Sequence, residues 1–313
     1  MKINNKIIGF TAAALAASSY GTSPLFAIPL LKNGVTPPAM LVYRFVIGAL
    51  LLAVVMKMKK QNFSLNKIQI LWICVQGGFL GTSSLTMFSS FQYLDGGLVA
   101  TLLFVYPAMT ALLMAAFFRE KLTAATISGL AAAMAGVFLL EHGSTDGKVT
   151  AFGLFLVTAS ALTYALYIIT IKQTPLRELP AEKLTFYSLL ASLPLQLAFL
   201  RGGADIPLLP NALSWGCAVG LALLSCVLSF VMTAVAVKYV GPTATSIFGA
   251  LEPVTAIIIG CTVFAERFSG IQSIGILLIL ASVMIIISGQ RKKPAPALPA
   301  AVNAAGSQNF FKK

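Results

Sequence analysis

Apolar residues fill this chain in long blocks, and its polar and charged residues gather in the short intervals between them. A membrane-spanning helix needs about 20 largely apolar residues. On that measure the pattern predicts ten helices, at roughly 7–31, 37–57, 68–91, 95–118, 122–141, 150–171, 183–200, 212–237, 241–264 and 269–289. The longest intervals are only about 10–12 residues, which leaves no room for an inserted soluble domain. Lys2, Lys6 and the apolar run after them have the outline of a signal peptide. That run continues through Leu25–Leu31 before it meets Lys32, so it reads as a first, retained helix. Beyond Gly289 the chain turns basic and rich in Pro and Ala, the composition of a disordered tail.

Composition agrees with the pattern. Of 313 residues, 58% are apolar and 10% charged, with a mean hydropathy of +0.89. Soluble domains carry roughly 25% charged residues, so the class is an all-α integral membrane protein, with the lipid bilayer as its first partner. The net charge of +13 does not point to nucleic acid, because no basic stretch carries the interleaved aromatics of a single-strand binder. The charge instead orients the helices. With the N-terminus in the cytoplasm, seventeen Lys and Arg fall on the cytoplasmic side, four on the outer side, and Arg44 inside the second span. This bias follows the positive-inside rule and places both termini in the cytoplasm.

The pattern also repeats. Residues 93–140 and 239–286 align without a gap at an offset of 146, matching Tyr93/Tyr239, Pro107/Pro253, Phe118/Phe264, Glu120/Glu266 and Gly129/Gly275. Earlier helices align at an offset of 144, through Gly9/Gly153, Tyr20/Tyr164 and Tyr43/Tyr187. Ten spans divide into five and five, and an odd number per copy inverts one half relative to the other. Inverted repeats of this kind build alternating-access carriers, with the substrate site at the interface of the halves. The halves are 1–143 and 144–290, followed by a basic cytoplasmic tail at 291–313.

Polar groups inside the spans are the candidate chemistry. Glu252, directly before Pro253, is the one acid deep in an apolar span, roughly 16 Å in. A carboxylate there must meet a cavity, a partner or a proton. It suits proton coupling or a substrate amine, and equally a protonated hydrogen bond to a neighbouring helix. Tyr106, before Pro107, is its equivalent in the first half, and inversion would set the two face to face. Arg44 lies roughly 10 Å below the outer surface. It keeps its proton, so it must bind a substrate carboxylate or phosphate, clamp a neighbouring helix by its carbonyls or by Glu252, or reach outward. Pro24, Pro29, Pro107 and Pro253 free backbone groups in mid-membrane, and such breaks persist where a cavity or neighbours satisfy them. The first helix, with SSYGTSPLFAIP, is the expected kinked, cavity-lining helix. Tyr20 and Tyr164 suit either cavity lining or packing. Gln76 and the Ser and Thr residues of the third helix suit either an aqueous path or close helix packing. Glu120, Glu266 and His142 read as loop residues.

A mid-helix proline, a Glu at the following hinge (FFREKLT and FAERFSG), and a Gly-containing helix ending in an aliphatic run occur twice in order. Together with Tyr43-Arg44-Phe45, this resembles the EamA-type repeat of the drug/metabolite transporter superfamily. The resemblance covers about 7–141 and 150–289, although Ser19-Tyr20-Gly21 stands where many relatives carry a tryptophan. It implies ten transmembrane helices as two inverted five-helix repeats, a central cavity, and transport of small metabolites, often amino acids and often outward. The expectation is therefore a multi-pass secondary transporter of the inner or plasma membrane. Its small-molecule substrate would be driven by a proton or exchange gradient, since no nucleotide-binding GxxxxGK[ST] is present. The alternative is a membrane-embedded enzyme modifying a lipid or metabolite. That chemistry needs paired acids, a His cluster or a nucleophile with its base, and the chain offers one His and one mid-span Glu. No cofactor or metal is expected. Cys74, Cys217, Cys226 and Cys261 lie singly in apolar stretches, as small hydrophobes do.

Overall fold

The computed structural model describes residues 2–90, 93–94, 99, 102–141, 150–263 and 270–291. Among them the only regular elements are helical. They are α1 (Lys2–Tyr20), α2 (Ser23–Lys32), α3 (Pro37–Met58), α4 (Lys67–Ser90), α5 (Tyr106–Phe118), α6 (Ala124–Glu141), α7 (Ala151–Gln173), α8 (Ala181–Phe199), α9 (Ala212–Gly220), α10 (Ser229–Val240), α11 (Pro242–Phe248), α12 (Leu251–Val263) and α13 (Gly270–Arg291). A π-helical segment, Leu221–Leu228, joins α9 to α10 without interruption. The hinge Glu266-Arg267, His142, the tail from 292 and most of the stretch at 95–105 lie outside the described residues.

Helix ends follow local chemistry. Thr150 caps α7 by accepting from the Gly153 amide, and Asn211 caps α9 by accepting from the Ser214 amide. Pro37 and Pro38 open α3, where a missing amide proton costs nothing. Gly241, at φ 92, ends α10, and Pro242 starts α11 directly after it.

Three predicted spans are broken rather than continuous. The span at 7–31 divides at Gly21-Thr22, the span at 95–118 turns at Phe104-Val105 before α5, and the span at 241–264 divides at Gly249-Ala250. Proline explains all three, because each proline lacks the amide that would continue the ladder. Pro24 leaves the Tyr20 carbonyl without its helical donor, and Ser23 Oγ donates to that carbonyl at 2.5 Å instead. Thr22 Oγ1 donates likewise to the Ser19 carbonyl at 2.7 Å. Side-chain hydroxyls thus close the break internally, as a site away from water requires. Pro24, Pro107 and Pro253 all stand in the first turn of the helix that follows a break, and Pro29 lies inside α2. The remaining described spans agree with the predicted ones to within a few residues. The span at 212–237 adds the π-helical turn, which left no mark in the apolar pattern.

Packing pairs obey the repeat. α1 packs on α10 as α7 packs on α4, and α12 packs on α1 as α5 packs on α7. The pairs α3–α8 and α6–α13 each join a helix to its own counterpart. The matched residues meet crosswise. A Cβ on Gly9 would lie 2.8 Å from Tyr239 Cβ, and one on Gly153 would lie 2.9 Å from Tyr93 Cβ. The two glycines allow the same close approach at the two equivalent contacts. Among the described residues, five helices are long and apolar enough to cross a membrane, namely Asn5–Lys32, Pro37–Met58, Lys67–Ser90, Ala151–Gln173 and Ala212–Val240. Outward faces carry residues such as Leu50, Leu112, Phe117 and Leu277, all well exposed. Such faces suit hydrocarbon rather than water.

Candidate functional site

The breaks in the helices converge. A Cβ on Gly21 would lie 2.4 Å from the Glu252 carbonyl oxygen and 2.8 Å from Thr255 Cβ, so the α1–α2 break rests directly on the first turn of α12. A Cβ on Gly249 would lie 1.7 Å from Tyr106 Oη, so the start of α5 rests on the α11–α12 break. Backbone and tyrosine hydroxyl fit together only because both positions lack a side chain.

A small cavity opens where these breaks meet. Ala13, Ala16 and Ala17 of α1 form one wall, and Tyr106, Tyr164, Thr233, Thr245 and Glu252 complete it. Tyr106 and Glu252, equivalent in the repeat, therefore line the same space. The Glu252 carboxylate makes no ion pair or hydrogen bond with any described residue. A carboxylate in mid-membrane with no partner among the described residues is costly, and this one lines the cavity beside tyrosine and threonine side chains.

An aromatic row leads away from this space. Tyr106 meets Tyr164 edge to face at 4.9 Å, and Tyr164 stacks on Tyr167 at 5.8 Å. Tyr167 meets Phe230 at 6.1 Å, and Phe230 meets Tyr20 at 6.2 Å. Arg44 ends the row. Its guanidinium lies 5.2 Å from the Tyr20 ring centre and 5.4 Å from that of Phe230, and the residue is fully buried. Ring faces stabilise a cation by their quadrupoles, and more so away from water. Nη2 donates to the Ser225 carbonyl in the π-helical segment, a rare kind of turn that is frequent at functional sites. Nε and Nη1 have no hydrogen-bond partner among the described residues. Tyr20 Oη donates to Met87 Sδ at 3.8 Å.

Sequence candidates thus separate into two groups. Glu252, Tyr106 and Tyr164 share the cavity. Tyr20 and Arg44 close the aromatic row; Tyr20 stands within electrostatic reach of Glu252 and Tyr164, while the Arg44 guanidinium clamps a carbonyl rather than Glu252. Gln76 belongs elsewhere, buried between α4 and α8, where Oε1 accepts from Ser188 Oγ at 2.6 Å. The third helix's serines serve packing too. Ser83 and Ser160 bond reciprocally to each other's carbonyls at 3.1 and 2.8 Å, joining α4 to α7. Glu120 accepts from Thr243 Oγ1 at 3.2 Å, a tie between the first half's hinge and α11. Sequence reasoning missed Tyr167 and Phe230. Tyr167 was available from its i, i+3 spacing after Tyr164, whereas nothing local marks Phe230. No three His, Cys, Asp or Glu side chains among the described residues gather as a metal site.

The model of the EamA-like transporter family matches residues 7–141 and 151–288. An uncharacterized transporter of Bacillus subtilis, YetK, is 27% identical over 266 residues, covering 82% of this chain and 80% of its own length. An uncharacterized transporter of Archaeoglobus fulgidus is 27% identical over 201 residues, covering 63% of this chain and 69% of its own. A solved crystal structure, 18% identical, matches with a TM-score of 0.77 over 94% of this chain and all of that one. That likeness concerns the fold.

Proposed function

The chain belongs to the EamA-like transporter family and is a multi-pass membrane transporter; we propose that it is a secondary carrier moving a small metabolite, an amino acid or related compound, outward across the cell's inner membrane. Its two units are 1–143 and 144–290, five spans each and inverted, with both termini in the cytoplasm. The bilayer and a small-molecule substrate are its partners.

One observation carries this reading. Tyr106 and Glu252 occupy the same register in the two halves, yet line a single cavity at the point where three helix breaks meet. Broken helices at a repeat interface place free backbone and polar side chains around a substrate. Alternating access then exposes this cavity to one side and the other as the halves rock. Glu252 is the coupling residue, holding a proton in one state and releasing it in the other. The same carboxylate, once ionised, is the ligand for a substrate ammonium. Arg44 offers a substrate carboxylate two nitrogens that have no hydrogen-bond partner among the described residues, with the Tyr20 ring beside it.

Counterflow on the purified protein in liposomes tests the carrier reading. Vesicles loaded with an unlabelled amino acid should take up the labelled one faster than empty vesicles, with saturation. Equal uptake by loaded and empty vesicles across a broad metabolite panel contradicts it. Chemical conversion of the added compound would point to an enzyme instead.

A further inference from the structure

α3 and α8 pack against one another, and each carries a tyrosine about one and a half turns from its start. Tyr43 Oη donates to the Pro207 carbonyl at 2.8 Å, in the loop that leaves α8. Tyr187 Oη donates to the Phe63 carbonyl, in the loop that leaves α3. The tyrosines stand at the 144 offset, and so do their acceptors, residues 63 and 207. The helix pair is therefore antiparallel, with one tyrosine bond at each end, roughly 20 Å apart along its axis. Neither bond is needed for helix formation, and both acceptors lie outside the helices.

We propose that Tyr43 and Tyr187 are paired latches: each fastens the loop leaving the other's helix, and the carrier opens one end by releasing one latch. The proposal rests on the carrier reading above, but the latches themselves are testable without transport. Both are fastened in this structure, as an occluded state requires. They are unequal. At the lysine-rich end, Lys183 Nζ also donates to the Ser64 carbonyl at 2.5 Å, and Lys59 pairs with Glu182. Phe186 packs edge to face on Phe63 at 5.8 Å and on Tyr187 at 4.9 Å. At the other end, Trp215 is the one aromatic ring packed against Tyr43 among the described residues, edge to face at 5.7 Å. The lysine-rich end is held by more bonds, so it opens less readily than the opposite end.

The test uses the full chain in right-side-out and inside-out membrane vesicles. A reporter cysteine replaces cavity-lining Thr245, with Cys74, Cys217, Cys226 and Cys261 changed to Ala, and a membrane-impermeant maleimide is added from each face. Removing one hydrogen bond by Tyr187→Phe should raise labelling from the lysine-rich face about two- to tenfold. Tyr43→Phe should raise it by a similar factor from the opposite face. Lys59→Ala, which leaves the tyrosine untouched, should act in the same direction as Tyr187→Phe, and it decides the matter if a tyrosine variant does not fold. Labelling that rises from the same face for both tyrosine variants, or changes for none of the three, overturns the latches. A failed counterflow assay alongside the expected labelling would overturn the carrier reading alone.

Discussion

Tyr106 and Glu252 stand at equivalent positions in the two halves of the chain, each directly before a proline, and they meet at one cavity. The repeat thus places a neutral phenol and an acid at matching positions on the two sides of the same space. Tyr106 Oη also occupies the volume that a side chain on Gly249 would need.

That crowding makes a coupled pair of mutations informative. Gly249→Ala should lower the thermal midpoint of the purified protein, since overpacking typically costs about 1–3 kcal/mol. Tyr106→Phe in the same chain should recover part of the loss by removing the clashing hydroxyl. A double-variant midpoint equal to the sum of the two single effects would show that the residues do not interact.

Arg44→Lys keeps the charge but loses the planar fork that clamps the Ser225 carbonyl and lies between the Tyr20 and Phe230 rings. The two cations are not interchangeable at such a position. The substrate concentration for half-maximal uptake should rise about tenfold, equivalent to about 1.4 kcal/mol. A purely structural clamp would lower the thermal midpoint and leave half-saturation unchanged.

Gly9 and Gly153 hold equivalent crossings, α1 on α10 and α7 on α4. Gly→Ala within a helix ordinarily gains up to about 1 kcal/mol. At these two positions the added carbon would approach Tyr239 and Tyr93 within 3 Å, so each substitution should destabilise, and by similar amounts. Gly78→Ala is the contrast, because a Cβ there meets nothing within 4 Å, and it should be neutral or stabilising. Thermal midpoints of the three variants in one detergent provide the comparison.

Much of this arrangement was legible in the chain, for a physical reason. Apolar length sets where helices lie, and the internal repeat matched Gly9 with Gly153 and Tyr93 with Tyr239, but the crosswise meeting of these matched residues came only from the folded packing. Pro24 and Pro253 marked the breaks, because a missing amide is a local property. Arg44 was ambiguous, since depth alone does not say which groups surround it. Its setting depends on Phe230 and the Ser225 carbonyl, brought in by a π-helical turn from the other half of the chain. Gln76 had the polarity of a cavity residue, but the α4–α8 contact claims it. The Tyr43 and Tyr187 bonds to residues 207 and 63 required the folded loops, because their acceptors are backbone carbonyls that no side-chain pattern reports.

The central claim is that Glu252 couples transport at the meeting point of the two halves. The direct measurement is uptake against external pH in proteoliposomes, for the natural chain and for Glu252→Gln, with substrate counterflow measured on the same vesicles. Removing the ionisable group should cut proton-driven uptake at least about tenfold and abolish its pH dependence, while the protein still folds. Uptake by Glu252→Gln with the natural chain's rate and pH profile would contradict the claim.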